Sequence, residues 1–263
     1  MAPRRGDGAV QARGRNPVRR LRSLLFAFCV AGSGALAETL PLPAGLTDFS
    51  SHDGETFLLE SNAREAYFPI SIHFVTQKTQ AYCGVASMVM VLNALNVPAP
   101  TTPAYEPYHT FTQDNVLDDK TDTVLPRDVL ARQGMTLDQL GALLALHPVA
   151  VEVHHAADGG LDAFRAAARA ALETNDHFVI VNYLRKILGQ QTGGHISPLA
   201  AYDEKTDRFL ILDVARYKYP PVWVKAYDLF DAMNTPDPSN GGKTRGFVVV
   251  TRVGATPAAA PAK

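Results

Sequence analysis

Gln77-Lys78-Thr79-Gln80-Ala81-Tyr82-Cys83-Gly84-Val85-Ala86-Ser87-Met88-Val89-Met90-Val91-Leu92-Asn93-Ala94-Leu95 decides how the rest of the chain is read. Val85, Met88, Val89, Val91, Leu92 and Leu95 leave no continuous polar face, which predicts a buried helix over 84–95. Cys83 then sits at the helix N-terminus, where partial positive charge and free N–H groups favour a thiolate, the nucleophilic form of the side chain. Gly84 would let a substrate carbonyl approach the backbone. Six places before the cysteine, Gln77 offers a side-chain amide that could join the Cys83 N–H in stabilising an oxyanion. The plain alternative for Gln77 is a solvated loop residue.

Downstream of this helix, 98–126 is rich in Pro, Thr and Asp without periodicity and reads as a long irregular loop, the kind of segment that often binds something. A helix is expected to open at Thr136, where Gln139 completes a capping-box pattern, and another to span 161–173. Apolar runs at 149–153, 178–184, 196–202, 209–214 and 247–253 read as strands. Helices in the first half and strands in the second predict an α+β fold with an antiparallel sheet. The fold should close near Val253, and the Pro/Ala tail 254–263 buries no face.

Arg19, Arg20 and Arg22 precede an apolar run from Leu24 to about Ala31, followed by Ala35-Leu36-Ala37, the layout of a cleavable export signal over 1–37. The run is too short to span a bilayer, so no stable membrane insertion is expected. Seven of the 25 basic and one of the 26 acidic residues lie in that segment, so the remaining 226 residues carry a formal charge of −7. That balance argues against non-specific nucleic-acid binding. Of the 2 cysteines, Cys29 leaves with the signal and Cys83 stays alone, which forbids an internal disulfide. A lone thiol kept in an oxidising compartment is either a small core hydrophobe or a reactive group.

A thiol nucleophile needs a histidine to take and return its proton and a third group to fix the imidazole tautomer. His195 heads a strand after Thr192-Gly193-Gly194, with room for a substrate at Gly194. It would face Asp213 across a hairpin whose turn centres on residue 204, inside the polar Asp203-Glu204-Lys205. A carboxylate ending an apolar strand calls for a partner, and His195 would supply it. The bland readings are a backbone-satisfied histidine and an Asp213 paired with Arg216. The adjacent His154 and His155 point to opposite faces of a strand and read as surface or strand-end residues. His73, His109 and His177 have no partner spacing, and no Cys/His cluster has zinc-site spacing, so no protein metal ligands are expected.

Gln-x5-Cys opening a buried helix resembles papain-like cysteine peptidases. Three stretches narrow this to a resemblance to the phytochelatin synthase family: Phe74–Gln77 with Gln80–Leu95, Thr192–Pro198, and Leu212–Pro221 followed by Trp223-Val224. The resemblance covers about 68–247 and implies a papain-like fold, with a helical lobe carrying the cysteine and an antiparallel lobe carrying His and Asp. It implies Cys83 as nucleophile, His195 as general base and acid, Asp213 as orienter and Gln77 as oxyanion donor. The implied reaction is attack on the Cys-Gly bond of glutathione, leaving a γ-glutamylcysteinyl thioester. Water or a second glutathione, usually as a metal thiolate, then receives the acyl group.

Arg216, just beyond Asp213, could bind a carboxylate of this anionic substrate, with Tyr82 and Tyr219 as weaker lining candidates. No tightly bound cofactor is implied; cadmium or zinc would enter as part of the substrate. The plant and yeast members resembled carry a cysteine-rich C-terminal extension that this sequence lacks, and shorter bacterial relatives imply deglycination beside peptide synthesis. Glutathione is the expected partner, and the sequence leaves a homodimer open. A periplasmic or secreted location follows from the signal. Competing readings are a papain-like peptidase acting on longer peptides and a non-catalytic periplasmic thiol or metal-binding module using Cys83, His195 and His154.

Overall fold

A computed structural model describes residues 39–254. The expected export signal with its cleavage site, and all but the first residue of the Pro/Ala tail, lie outside the described residues. The centre of the fold is a seven-stranded sheet in the order β1-β6-β5-β4-β3-β7-β2, formed by β1 (Thr47–Asp48), β2 (Val149–His155), β3 (His177–Leu184), β4 (Gly194–Asp203), β5 (Arg208–Ile211), β6 (Val222–Lys225) and β7 (Gly246–Arg252). Every neighbouring pair is antiparallel, in keeping with the expected α+β class. The central strands β3 and β4 are buried almost throughout, as largely apolar strands covered on both faces are.

Among the described residues eight α-helices accompany the sheet: α1 (His52–Glu60), α2 (Tyr67–Ile72), α3 (Cys83–Ala94), α4 (Asp119–Val124), α5 (Arg127–Gln133), α6 (Leu137–Leu144), α7 (Ala156–Leu172) and α8 (Ala226–Met233). α3 is the predicted buried helix and begins on Cys83 itself. Of its 12 residues all but Asn93 are buried, and it packs across β4. Each fully buried Val, Met or Leu contributes about 1.5–3 kcal/mol, which anchors the helix by its whole circumference. α6 opens at Thr136 with the expected capping box, Thr136 Oγ1 accepting from the Gln139 N–H while Gln139 Oε1 accepts from the Thr136 N–H.

Several boundaries differ from the sequence reading. The 98–126 stretch is not wholly irregular, because Asp118 caps α4 and the Thr121 hydroxyl closes a second capping box. The 161–173 helix begins earlier, at Ala156, across a kink where Gly160 adopts φ 77°. The strand expected over 209–214 ends at Ile211. Its hairpin turns at 204–207 rather than on residue 204, Asp203 accepting from the backbone and hydroxyl of Thr206. A bulge between Leu199 and Ala201 then shifts the register. Extended past the bulge, the ladder faces His195 with Ala215 instead of Asp213. Asp213, two residues short of that, is the diagonal neighbour on the same face. Among the described residues no helix is long and apolar enough to cross a membrane.

Candidate active site

Cys83 is 8% exposed at the first turn of α3, and its sulfur takes hydrogen bonds from the backbone of Gly84 and Ile196. Burial alone would push the thiol up. The hydrogen bond and charge of His195, with those two N–H groups, outweigh burial and bring it below its ordinary 9.0. His195 stands near the head of β4, opposite Tyr183 of β3, whose ring meets the imidazole edge-on at 5.7 Å. Its Nε2 lies 2.9 Å from Asp213 Oδ1 and 2.9 Å from Ser197 Oγ. That geometry leaves Nδ1 for Cys83. Burial depresses the imidazole, but the Asp213 carboxylate more than compensates and holds it above its ordinary 6.5, against an opposing push from Arg185. Both shifts favour a thiolate beside an imidazolium.

Asp213 is fully buried. Desolvation would raise its carboxyl, yet His195 and Arg185 bring it down to about 2. The chain places it by leaving the ladder after Ile211. The Leu212 N–H still reaches the Pro198 carbonyl at 3.0 Å, and the Val214 carbonyl turns to accept from the Gln77 N–H at 2.8 Å. Oδ1 also accepts from the Ala215 N–H at 2.8 Å, so the carboxylate fastens its own turn.

A cleft of about 230 Å³ opens onto Cys83 and His195. One wall comes from the loop before α3 and the start of α6: Gln80, Ala81, Gly134, Met135, Thr136 and Gln139. The other comes from β3, β4 and the segment entering β7, with Asn182, Gly194, Asp237, Ser239 and Arg245. Arg245 is 8% exposed; its Nη1 donates to the Pro236 carbonyl at 2.7 Å, and its Nε finds no acceptor among the described residues. Asp237 lies 3.6 Å from its Nη2. An added Cβ at Gly194 would lie 3.4 Å from Arg245 Nε, an ordinary van der Waals contact.

The sequence-predicted residues divide sharply. Cys83, His195 and Asp213 are brought together, and Gly194 lines the cleft. Gln77 is buried, but its Nε2 donates to the Thr79 carbonyl at 2.9 Å and to the Tyr217 hydroxyl at 2.8 Å, so both amide hydrogens are engaged. Arg216 is exposed and lies 4.7 Å over the Phe74 ring, away from the cleft lining, and it does not pair with Asp213. Tyr82 caps α3 without lining the cleft. Tyr219 is buried behind the site, where its hydroxyl accepts from the Gln191 N–H and its ring lies 5.3 Å from the Arg185 guanidinium. The approach expected over Gly84 is filled, since a Cβ there would meet the Met135 sulfur at 2.4 Å.

Sequence reasoning missed Arg185, the true partner of Asp213, and the charged cleft residues Arg245 and Asp237. Arg245 carried a readable signal: it heads its strand much as His195 heads β4. Arg185 carried less, because it follows the predicted strand like any solvated residue, and only the fold turns it inward. Asn182 was hidden within an apolar run; it is 3% exposed and its side-chain amide makes no hydrogen bond among the described residues.

Comparison with known proteins places the chain in a family. A family model described as phytochelatin synthase matches residues 37–247. Glutathione gamma-glutamylcysteinyltransferase 1 of Lotus japonicus is 35% identical over 226 residues, covering 85% of this chain and 44% of that protein. The protein of the same name from Arabidopsis thaliana is 33% identical, over 81% of this chain and 43% of its own length. A Schizosaccharomyces pombe glutathione gamma-glutamylcysteinyltransferase is 29% identical, over 80% of this chain and 50% of its own. The chain thus spans half or less of the length of these relatives. With the family model matched across most of its residues, the chain belongs to the phytochelatin synthase family.

Proposed function

We propose that the chain is a glutathione γ-glutamylcysteinyltransferase that works through an acyl-enzyme on Cys83. The observation that carries this reading is the buried Cys83–His195–Asp213 constellation opening onto a cleft that holds both Arg245 and Asp237. Glutathione's γ-glutamyl end is a zwitterion, and a guanidinium beside a carboxylate complements it: Arg245 takes the α-carboxylate and Asp237 the ammonium. Asn182 offers its amide to the γ-peptide bond.

The Cys83 thiolate attacks the carbonyl carbon of the Cys-Gly bond. The first-turn N–H groups of α3 face the developing oxyanion, and Gln77 joins them by giving up its bond to Tyr217. The His195 imidazolium hands its proton to the glycine nitrogen, the C–N bond breaks, and glycine leaves as a thioester remains on sulfur. The neutral His195 then takes a proton from water or from the free α-amine of a second glutathione as that oxygen or nitrogen bonds to the thioester carbon; the C–S bond breaks, the Cys83 thiolate leaves, and γ-glutamylcysteine or a longer peptide is released. Cadmium or zinc enters as the metal thiolate of that substrate, and no resident cofactor takes part. The arrangement of α3 against a sheet carrying His195 and Asp213 supports a papain-like relationship. The arginines and apolar run of 1–37 support export to the periplasm.

The test is incubation of the protein with glutathione, with and without cadmium, and mass spectrometry of the products. Glycine with γ-glutamylcysteine means transfer to water, and a product longer by one γ-glutamylcysteine unit means transfer to glutathione. Cleavage of unrelated peptides with glutathione left intact would favour a general peptidase and overturn the proposal.

A further inference from the structure

Arg245 reaches the cleft from a loop whose exit is fastened to the start of α7, the Ala156 N–H donating to the Arg245 carbonyl at 2.9 Å and the Ala157 N–H to Thr244 Oγ1 at 3.1 Å. Its turn runs through Gly241 and Gly242, both at positive φ. Within it the Asp237 N–H donates to the Lys243 carbonyl at 2.8 Å and the Arg245 N–H to the Thr235 carbonyl at 3.0 Å. What ties this loop to the opposite wall is His155, the last residue of β2. The imidazole Nε2 lies 2.8 Å from Asp138 Oδ1, in the first turn of α6, and its Nδ1 faces the Thr244 carbonyl. Lys243 Nζ meets the other Asp138 oxygen at 2.7 Å. Thr136 and Gln139, on either side of Asp138 in sequence, line the cleft, and Thr244 directly precedes Arg245. Both ring nitrogens face acceptors, so a ring protonated on both makes both bonds at once.

We propose that His155, with Asp138, is a positioning residue for Arg245, a clip that sets the spacing between the two walls of the substrate cleft. This rests on the reading that Arg245 receives a carboxylate of the substrate. The clip stands apart from the core that holds α6, because Leu137, Leu140, Leu143 and Leu144 are buried without it. Its loss loosens the 243–245 segment from α6, with the Ala156 and Ala157 bonds still in place, and does not expose the helix. Binding of the charged end of the substrate then weakens, while the chemistry at Cys83 is left alone.

The experiment compares wild type, His155→Phe and Asp138→Asn by glycine release from glutathione and by amide hydrogen exchange across 243–246. KM is expected to rise roughly tenfold, the worth of one charge-assisted hydrogen bond, with kcat essentially unchanged. Combining His155→Phe with Arg245→Lys should add little to the effect of Arg245→Lys alone, because both act on one contact. Exchange at 243–246 should quicken in both single variants. An unchanged KM, a fall in kcat at constant KM, or unaltered exchange overturns the clip. If the wild type itself releases no glycine, it is the glutathione reading that fails, and the exchange measurement still decides whether the clip exists.

Discussion

Arg185 Nη2 lies 2.7 Å from Asp213 Oδ2, so the carboxylate that orients His195 is itself held by a buried guanidinium. Arg185 is 3% exposed, donates from Nη1 to Gln190 Oε1 at 2.7 Å, and lies against the rings of Tyr183 and Tyr219. The carboxylate thus serves two cations at once. One fixes its place and the other is the imidazole used for proton transfer, so orientation of His195 is built into the core rather than left to a surface loop.

Arg185→Met strands the Asp213 carboxylate in the core with only His195 as a cationic partner. Breaking one side of a buried pair costs about 3–5 kcal/mol, and urea unfolding at neutral pH should show a loss of that order. Because Arg185 pushes the His195 imidazole down, its removal should also move the alkaline limb of the activity profile to higher pH. Wild-type stability in the variant would contradict the shared-carboxylate account.

Asp213 gives a defined pH dependence of stability. Its folded-state value of about 2 lies below the ordinary 3.8, so the unfolded chain binds its proton first as pH falls. The contribution, on the order of 2 kcal/mol, is fully present above pH 4 and disappears as pH drops toward 2. The stability gap between wild type and Asp213→Asn should therefore narrow as pH falls from 4 toward 2. A gap that widens over that acid range would contradict the assignment.

Alkylation of Cys83 by iodoacetamide reports the thiolate directly. With the thiol lowered by His195, the rate should already be substantial below the ordinary thiol range and reach its plateau early. In His195→Ala the hydrogen bond and charge are gone while burial remains, so the midpoint should move upward. Identical midpoints in the two proteins would exclude a functional thiol–imidazole pair.

Arginine substitutions separate the two candidate anchors. Arg245→Ala should raise KM for glutathione by roughly 10- to 100-fold, as loss of a charge-assisted contact of about 1.5–3 kcal/mol implies. Arg216→Ala, at an exposed side chain resting on Phe74, should change KM by less than about twofold. The reverse ranking of Arg216 and Arg245 would return the anchor to the position inferred from sequence.

Much of the site was legible because its chemistry is local in sequence. A helix with no polar face has to be buried, and a cysteine at its first turn needs no tertiary information to be noticed. The capping pair Thr136 and Gln139 is likewise a short-range signal. His195 and Asp213 were found by counting across a hairpin, and the count reached the right pair through a wrong register, since the bulge near Ala200 and the early end of β5 compensate for each other on the same face. Arg185 and Asp237 were not legible, and Arg245 showed only its place at the head of a strand, because burial of a charged side chain is a property of the assembled fold. Nothing in the local pattern tells a buried arginine from the exposed Arg216.

The central claim is that Cys83 carries the acyl group. Acid-quenched intact-mass spectrometry within the first turnovers with glutathione should show the chain heavier by one γ-glutamylcysteinyl unit, mapped to Cys83 by peptide analysis and absent from Cys83→Ser. Glycine release by Cys83→Ser at the wild-type rate, or an adduct on any other residue, would contradict it.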